Sequence, residues 1–165
     1  MRLKFTLAGS LDIADDKIDI TDPCYDKSTW CRTQKPIVPG KYDCYAGVGG
    51  NKAWGERVYA LVILASGLDL DGKYDVQSVG TIGVDAGMAG FFVNKPDYSH
   101  DEWNQVCEYV FESDGLKRPK KFWIVDENSP SRCKGFFSES GIGDGEYVLY
   151  AINQHNKTVG YKLEF

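Results

Sequence analysis

Tyr147-Val148-Leu149-Tyr150-Ala151-Ile152 and Thr158-Val159-Gly160-Tyr161-Lys162-Leu163-Glu164-Phe165 flank the polar connector Asn153-Gln154-His155-Asn156-Lys157. Both runs are rich in β-branched and aromatic residues, which suit a pleated, half-buried surface, and the connector has the length of a hairpin loop. The stretch therefore reads as two antiparallel strands. Upstream, Tyr74, Val76, Ser78, Gly80, Ile82 and Val84 would share one face of a strand, with mostly polar or small residues between them. Tyr42 to Val48, Arg57 to Leu64 and Phe122 to Val125 read as further strands, and others start at Met1 and Ile18.

A single helix is predicted between Asp101 and Ser113. Trp103, Val106, Cys107, Val110 and Phe111 recur at the spacing that gathers apolar side chains into one stripe. Ser99 and Glu102 stand as a capping box at its start, and Gly115 is the expected stop. Parallel strands need crossover connections, usually helices, and one helix cannot supply them. The expected fold is mainly β: an antiparallel, sandwich-like or partly closed sheet with one amphipathic helix packed on it, in a single domain over residues 1–165. The predicted loops are Thr21 to Gly40, Gly47 to Gly55, Ala86 to Asp97 and Asp126 to Gly145, which hold most of the glycines. Loops of this length commonly carry function.

The chain has 165 residues, 42% hydrophobic and 26% charged, ordinary for a globular domain. Its longest apolar run, Val58 to Ala65, is too short to cross a bilayer. The N-terminus alternates charge and apolar residue, unlike a signal peptide, and five cysteines make an odd count. A cytoplasmic location with reduced thiols at Cys24, Cys31, Cys44, Cys107 and Cys133 is the expectation. The net charge of −5 and the confinement of clustered basic residues to Lys117-Arg118-Pro119-Lys120-Lys121 argue against nucleic acid. No cofactor fingerprint is present, and the separation of Cys24 from Cys31 is not that of a zinc site.

Three turn motifs hold the candidate functional residues. Ile20-Thr21-Asp22-Pro23-Cys24-Tyr25-Asp26 contains an Asp-Pro turn, in which Asp22 caps local backbone N–H groups and Cys24 is an inert thiol unless a base stands beside it. Gly83 to Phe92 carries Asp85 and Gly87 in a glycine-rich turn without the Gly-Lys-Ser/Thr ending of a phosphate-binding loop. Gly135 to Tyr147 carries Ser138, Gly143, Asp144 and Gly145, with Asp144-Gly145 as a positive-φ turn pair. Asp85 and Asp144 are expected near each other at one sheet end, with Asp22 a third member. Three converging carboxylates would line a pocket or hold a hard cation.

The Val-Asp-Ala-Gly turn with its aromatic pair, followed by Ser140-Gly141-Ile142-Gly143-Asp144-Gly145-Glu146-Tyr147, resembles the DUF4241 family of uncharacterised bacterial and phage proteins. The Asp-Pro-Cys-Tyr and Trp-Cys-Arg segments are similar to small proteins of Firmicutes and their phages. The resemblance implies a shared scaffold and a shared site at Asp85, Gly87, Ser138, Gly143, Asp144 and Gly145, with no activity attached. Between Asn94 and Cys133 the chain departs from that pattern. The expected function is that of a non-enzymatic cytosolic accessory protein, of the kind phages and mobile elements carry, binding a small ligand or protein partner through its loops. The alternatives are a small metal- or Cys24-dependent hydrolase or transferase, and a virion or assembly component using an open edge at the final strand.

Overall fold

The structure, a computed structural model, describes residues 2–51, 53, 55–111 and 121–165. Among these, the strands in chain order are β1 (Lys4–Ile13), β2 (Lys17–Thr21), β3 (Arg32–Pro36), β4 (Gly40–Asn51), β5 (Gly55–Ala65), β6 (Asp75–Val84) and β7 (Met88–Phe92). Helix α1 (His100–Phe111) follows, then β8 (Phe122–Val125), β9 (Gly135–Glu139), β10 (Gly145–Gln154) and β11 (Lys157–Glu164).

Two antiparallel sheets face each other. The larger has the order β1-β4-β5-β11-β10-β6 and the smaller β3-β2-β7-β9-β8. Inward-facing residues of both sheets, among them Leu11, Ile20, Leu61, Ile63, Ile82, Phe91, Phe136, Leu149 and Leu163, fill the core. Each such side chain contributes roughly 1.5–3 kcal/mol by leaving water. The sheets do not close into a barrel, but their edges abut at two seams. At one, the Gly9 backbone of β1 lies against Ile124 of β8. At the other, Lys35 Nζ of β3 donates to Val79 O of β6 at 2.7 Å, and Gly83 N donates to Trp30 O at 2.9 Å.

Helix α1 starts as its capping box requires, with Ser99 N donating to Glu102 Oε2 at 2.8 Å and Glu102 N to Ser99 Oγ at 3.3 Å. Val106 and Val110 bury against Met88, Phe92, Val125 and Phe137 on the outer face of the smaller sheet. Gly115, Ser113 and the basic stretch from Lys117 to Lys120 lie outside the described residues. No helix among those described is long and apolar enough to cross a membrane.

Three predicted loops contain strands. β3 is a polar edge strand, whereas β7 and most of β9 are buried on both faces and show no alternation. Gly90-Phe91-Phe92 and Gly135-Phe136-Phe137, which fall in predicted loops, are paired strand segments: Phe91 lies opposite Phe136, and Gly90 opposite Phe137. Similarly, β4 continues to Asn51 and β5 begins at Gly55, so much of the predicted Gly47 to Gly55 loop is ladder. A Cβ at Gly90 would collide with Phe136 O and the Phe137 backbone, atoms that cannot swing aside. Gly90→Ala should therefore cost about 3 kcal/mol, the upper end for overpacking, as read by urea denaturation. The final strand is not an open edge either. β11 pairs with β10 on one side and β5 on the other, which removes the premise of the assembly reading.

Candidate functional site

Three chain segments meet where β2, β6 and β10 reach one end of the sandwich. β2 ends at Thr21, and the loop that follows is closed on itself by Asp22 N donating to Cys31 O at 2.9 Å and Thr21 Oγ1 to Asp22 O at 2.7 Å. This orients the buried Asp22 carboxylate across the gap between sheets. One oxygen accepts from Cys24 N at 2.9 Å in its own turn. The other accepts from Asp85 N at 2.9 Å and Ala86 N at 2.7 Å in the β6–β7 turn. Burial pushes the Asp22 pKa up, against the pull of these three N–H groups in the other direction. Asp22 is thus a staple between two turns and not a capping residue of one.

The other candidates divide. The Asp85 carboxylate is exposed and accepts from the Tyr25 hydroxyl. Gly87 takes φ +65°, a conformation that favours glycine, and a Cβ there would lie 3.9 Å from Asp144 Oδ1. Its carbonyl accepts from Ser140 N at 2.9 Å, and Gly145 pairs with Val84, so the third motif joins the first two. Asp22, Asp85, Gly87 and Asp144 therefore come together. Gly143 closes its own loop, accepting from Ser140 Oγ at 2.7 Å and Tyr147 Oη at 2.6 Å. Positive φ falls at Gly141 and Gly143, earlier than the predicted Asp144-Gly145 pair. Ser138 is buried in β9 with its hydroxyl bonded to Glu139 O at 2.8 Å. No group of three or more metal-ligating side chains forms among the described residues, so the convergence of Asp85 and Asp144 does not make a carboxylate cage.

Beside the staple opens a shallow cavity, wide to solvent, of about 510 Å³ lined by Cys24, Tyr25, Ala86, Tyr98, Ser99, His100 and Trp103. Its walls come from the β2–β3 loop, the β6–β7 turn and the start of α1. Tyr98 and Trp103 stack with ring centroids 6.4 Å apart. The Tyr98 hydroxyl is anchored to Ser131 O at 2.5 Å, and this leaves its ring as a fixed wall.

Lys95 joins the walls from behind and is 2% exposed. Its Nζ donates to Tyr25 O at 3.3 Å and Pro96 O at 2.9 Å and lies 4.4 Å from the Tyr98 ring centroid. Its backbone is held by Asp19, whose Oδ2 accepts from Lys95 N at 3.0 Å, and by Arg32, whose Nη2 donates to Lys95 O at 2.6 Å. The Arg32 guanidinium also pairs with Asp19 at 3.1 Å and Asp97 at 2.8 Å. Burial, with the nearby Arg32 charge, lowers the Lys95 pKa to about 8. Neither Lys95 nor Tyr98 stands out in the sequence: a lysine between Asn94 and Pro96 reads as an ordinary loop residue.

No family model, curated protein or solved structure matches this chain.

Proposed function

We propose that this chain is a binding protein that holds a small, planar molecule in the cavity between Tyr25, Ala86, Tyr98 and Trp103. The observation that carries the reading is the cavity's construction. Its volume of about 510 Å³ falls in the range of small-molecule sites, and aromatic side chains from separate elements wall it. The Asp22 staple and the Lys95 bonds fix two of those walls before any ligand arrives, which lowers the entropy lost on binding. The polar cavity at the other hairpin, lined by Lys73, Asp75, Gln77, Asn153, Gln154, His155 and Asn156, has no aromatic wall.

The test is a screen of planar fragments followed by amide and indole NMR shifts. Binders should move Ala86 and the Trp103 indole, and Ala86→Phe, which fills the cavity, should weaken them at least tenfold while the protein stays folded. Fragments that bind with unchanged affinity to Ala86→Phe would place the site elsewhere.

Catalysis through Cys24 is the weaker reading, although Cys24 and His100 line the same cavity. A nucleophilic thiol needs its pKa lowered, and here burial and then the Asp22 carboxylate push it well up. Cys24 should consequently react with iodoacetamide at pH 8 at least tenfold more slowly than free cysteine, as read by peptide mass spectrometry. Alkylation at or above the free rate would restore the catalytic reading.

A further inference from the structure

We propose that the molecule bound in this cavity is an anion, a planar ring bearing a carboxylate, whose charge is met by Lys95. The inference rests on the cavity reading above and adds the ligand's charge to it.

Buried charges are ordinarily paired, and Lys95 is an exception. An ammonium has three N–H donors. Two carbonyls, Tyr25 O and Pro96 O, take two of them, and the Tyr98 ring lies beside the group. Among the described residues no carboxylate forms an ion pair with it. The acids that act on it do so only from a distance: Asp97 is bonded to Arg32, and Asp26 is exposed to solvent. Of the other acids close by, Asp19 pairs with Arg32, Asp22 accepts three backbone N–H groups, and Asp85 accepts the Tyr25 hydroxyl. Arg32 adds a repelling charge, which makes the missing counter-ion more costly.

The position of this cation gives it a partner. Tyr25 and Tyr98, the residues that Lys95 Nζ touches, are themselves cavity walls. The charge lies one residue behind the surface the ligand meets, inside a water-poor layer where attraction at several ångströms is far stronger than in solvent. No carboxylate is among the lining residues; those of Asp22 and Asp85 lie behind the opposite wall, where Asp22 is bonded to the Cys24 and Ala86 N–H groups and Asp85 to the Tyr25 hydroxyl, so an incoming anion has to settle on the Tyr98 and Lys95 side. A ring packed against Trp103 and Tyr98 would leave its carboxylate facing the Lys95 side.

The experiment is calorimetric titration of the intact protein and of Lys95→Met with matched pairs on benzene, pyridine and indole rings: the carboxylate and the uncharged carboxamide. The native chain should bind at least one carboxylate tenfold or more tightly than its carboxamide. Lys95→Met should lose that preference, binding the carboxylate and the carboxamide of a pair alike, and the Ala86 and Trp103 NMR shifts on carboxamide binding show that its cavity is intact. Equal affinities in the native chain would overturn the anion inference and leave the cavity reading standing. Loss of carboxamide binding in Lys95→Met would also overturn it, because Lys95 would then act only by holding the walls. Binding of no member of any pair would remove both.

Discussion

Replacing Asp22 by alanine should lower the unfolding free energy by about 3–4 kcal/mol, read from urea denaturation at neutral pH. The side chain is fully buried and accepts three backbone N–H groups from two turns, so alanine leaves all three donors without their acceptor. Asparagine is the sharper probe. Its single carbonyl oxygen can serve the Asp85 and Ala86 pair, but its NH2 then meets the Cys24 N–H, donor against donor. Roughly half the alanine cost is expected, more than for a carboxylate that merely caps its own turn. The two-turn geometry also predicts that Asp22→Ala disturbs residues 85 and 86 in hydrogen exchange, although they are far from residue 22 in sequence. A loss below about 1 kcal/mol, with exchange unchanged there, would mean that the turns hold without the staple.

Lys95→Met should raise stability at pH 7 by about 2 kcal/mol, an uncommon sign for a buried substitution. The native pKa of about 8 lies below the unfolded value near 10.5, so the charged form is disfavoured by folding. The shift is worth about 3 kcal/mol at any pH below 8, of which the lost carbonyl bonds return a part. Because the folded pKa is depressed in a basic group, the Lys95 contribution improves as pH rises from about 8 towards 10.5. The buried cysteines act in the opposite sense over that range, since their raised pKa values keep protons that the unfolded chain has lost. Only the difference between native chain and Lys95→Met isolates the lysine. That difference should fall by about 3 kcal/mol between pH 7 and pH 10.5 in guanidinium titrations, from about 2 in favour of Lys95→Met to about 1 in favour of the native chain. A pH-independent difference would show that Lys95 is not buried as a cation.

The parts of the fold legible in the sequence were those with one wet and one dry face. The hairpin of β10 and β11 and the Trp103 stripe each present a period that a single buried face imposes. The Tyr74 to Val84 alternation located β6 but not its buried face: only Ile82 and Val84 of that set are buried, Val76 is exposed, and a bulge between Ser78 and Gly80 turns Val79 onto the core. β7 and β9 escaped because both of their faces are covered, one by the core and one by α1, so Met88 to Phe92 shows no alternation. Gly90 marks where a neighbouring backbone approaches and Gly135 where the Phe92 ring packs, and in a sequence either is indistinguishable from a turn. The proximity of Asp85 and Asp144 followed from two motifs leaving adjacent strands. The cross-turn bonding of Asp22, the burial of Lys95 and the cavity itself arise from segments that only the closed sandwich brings together.

The place of β11 bears on how the protein is made. Its Tyr161 hydroxyl reaches Pro36 O at 2.5 Å, and Phe165, just beyond it, bonds Tyr59 O at 2.8 Å, so the strand made last among those described ties both sheets. With β5 waiting some hundred residues for this neighbour, the larger sheet stays split on the ribosome until synthesis has passed residue 164. Until then β5 and β10 each expose an apolar ladder edge that invites pairing with other nascent chains. Assembly of this sandwich is thus dominated by non-local closure, and slow for its size.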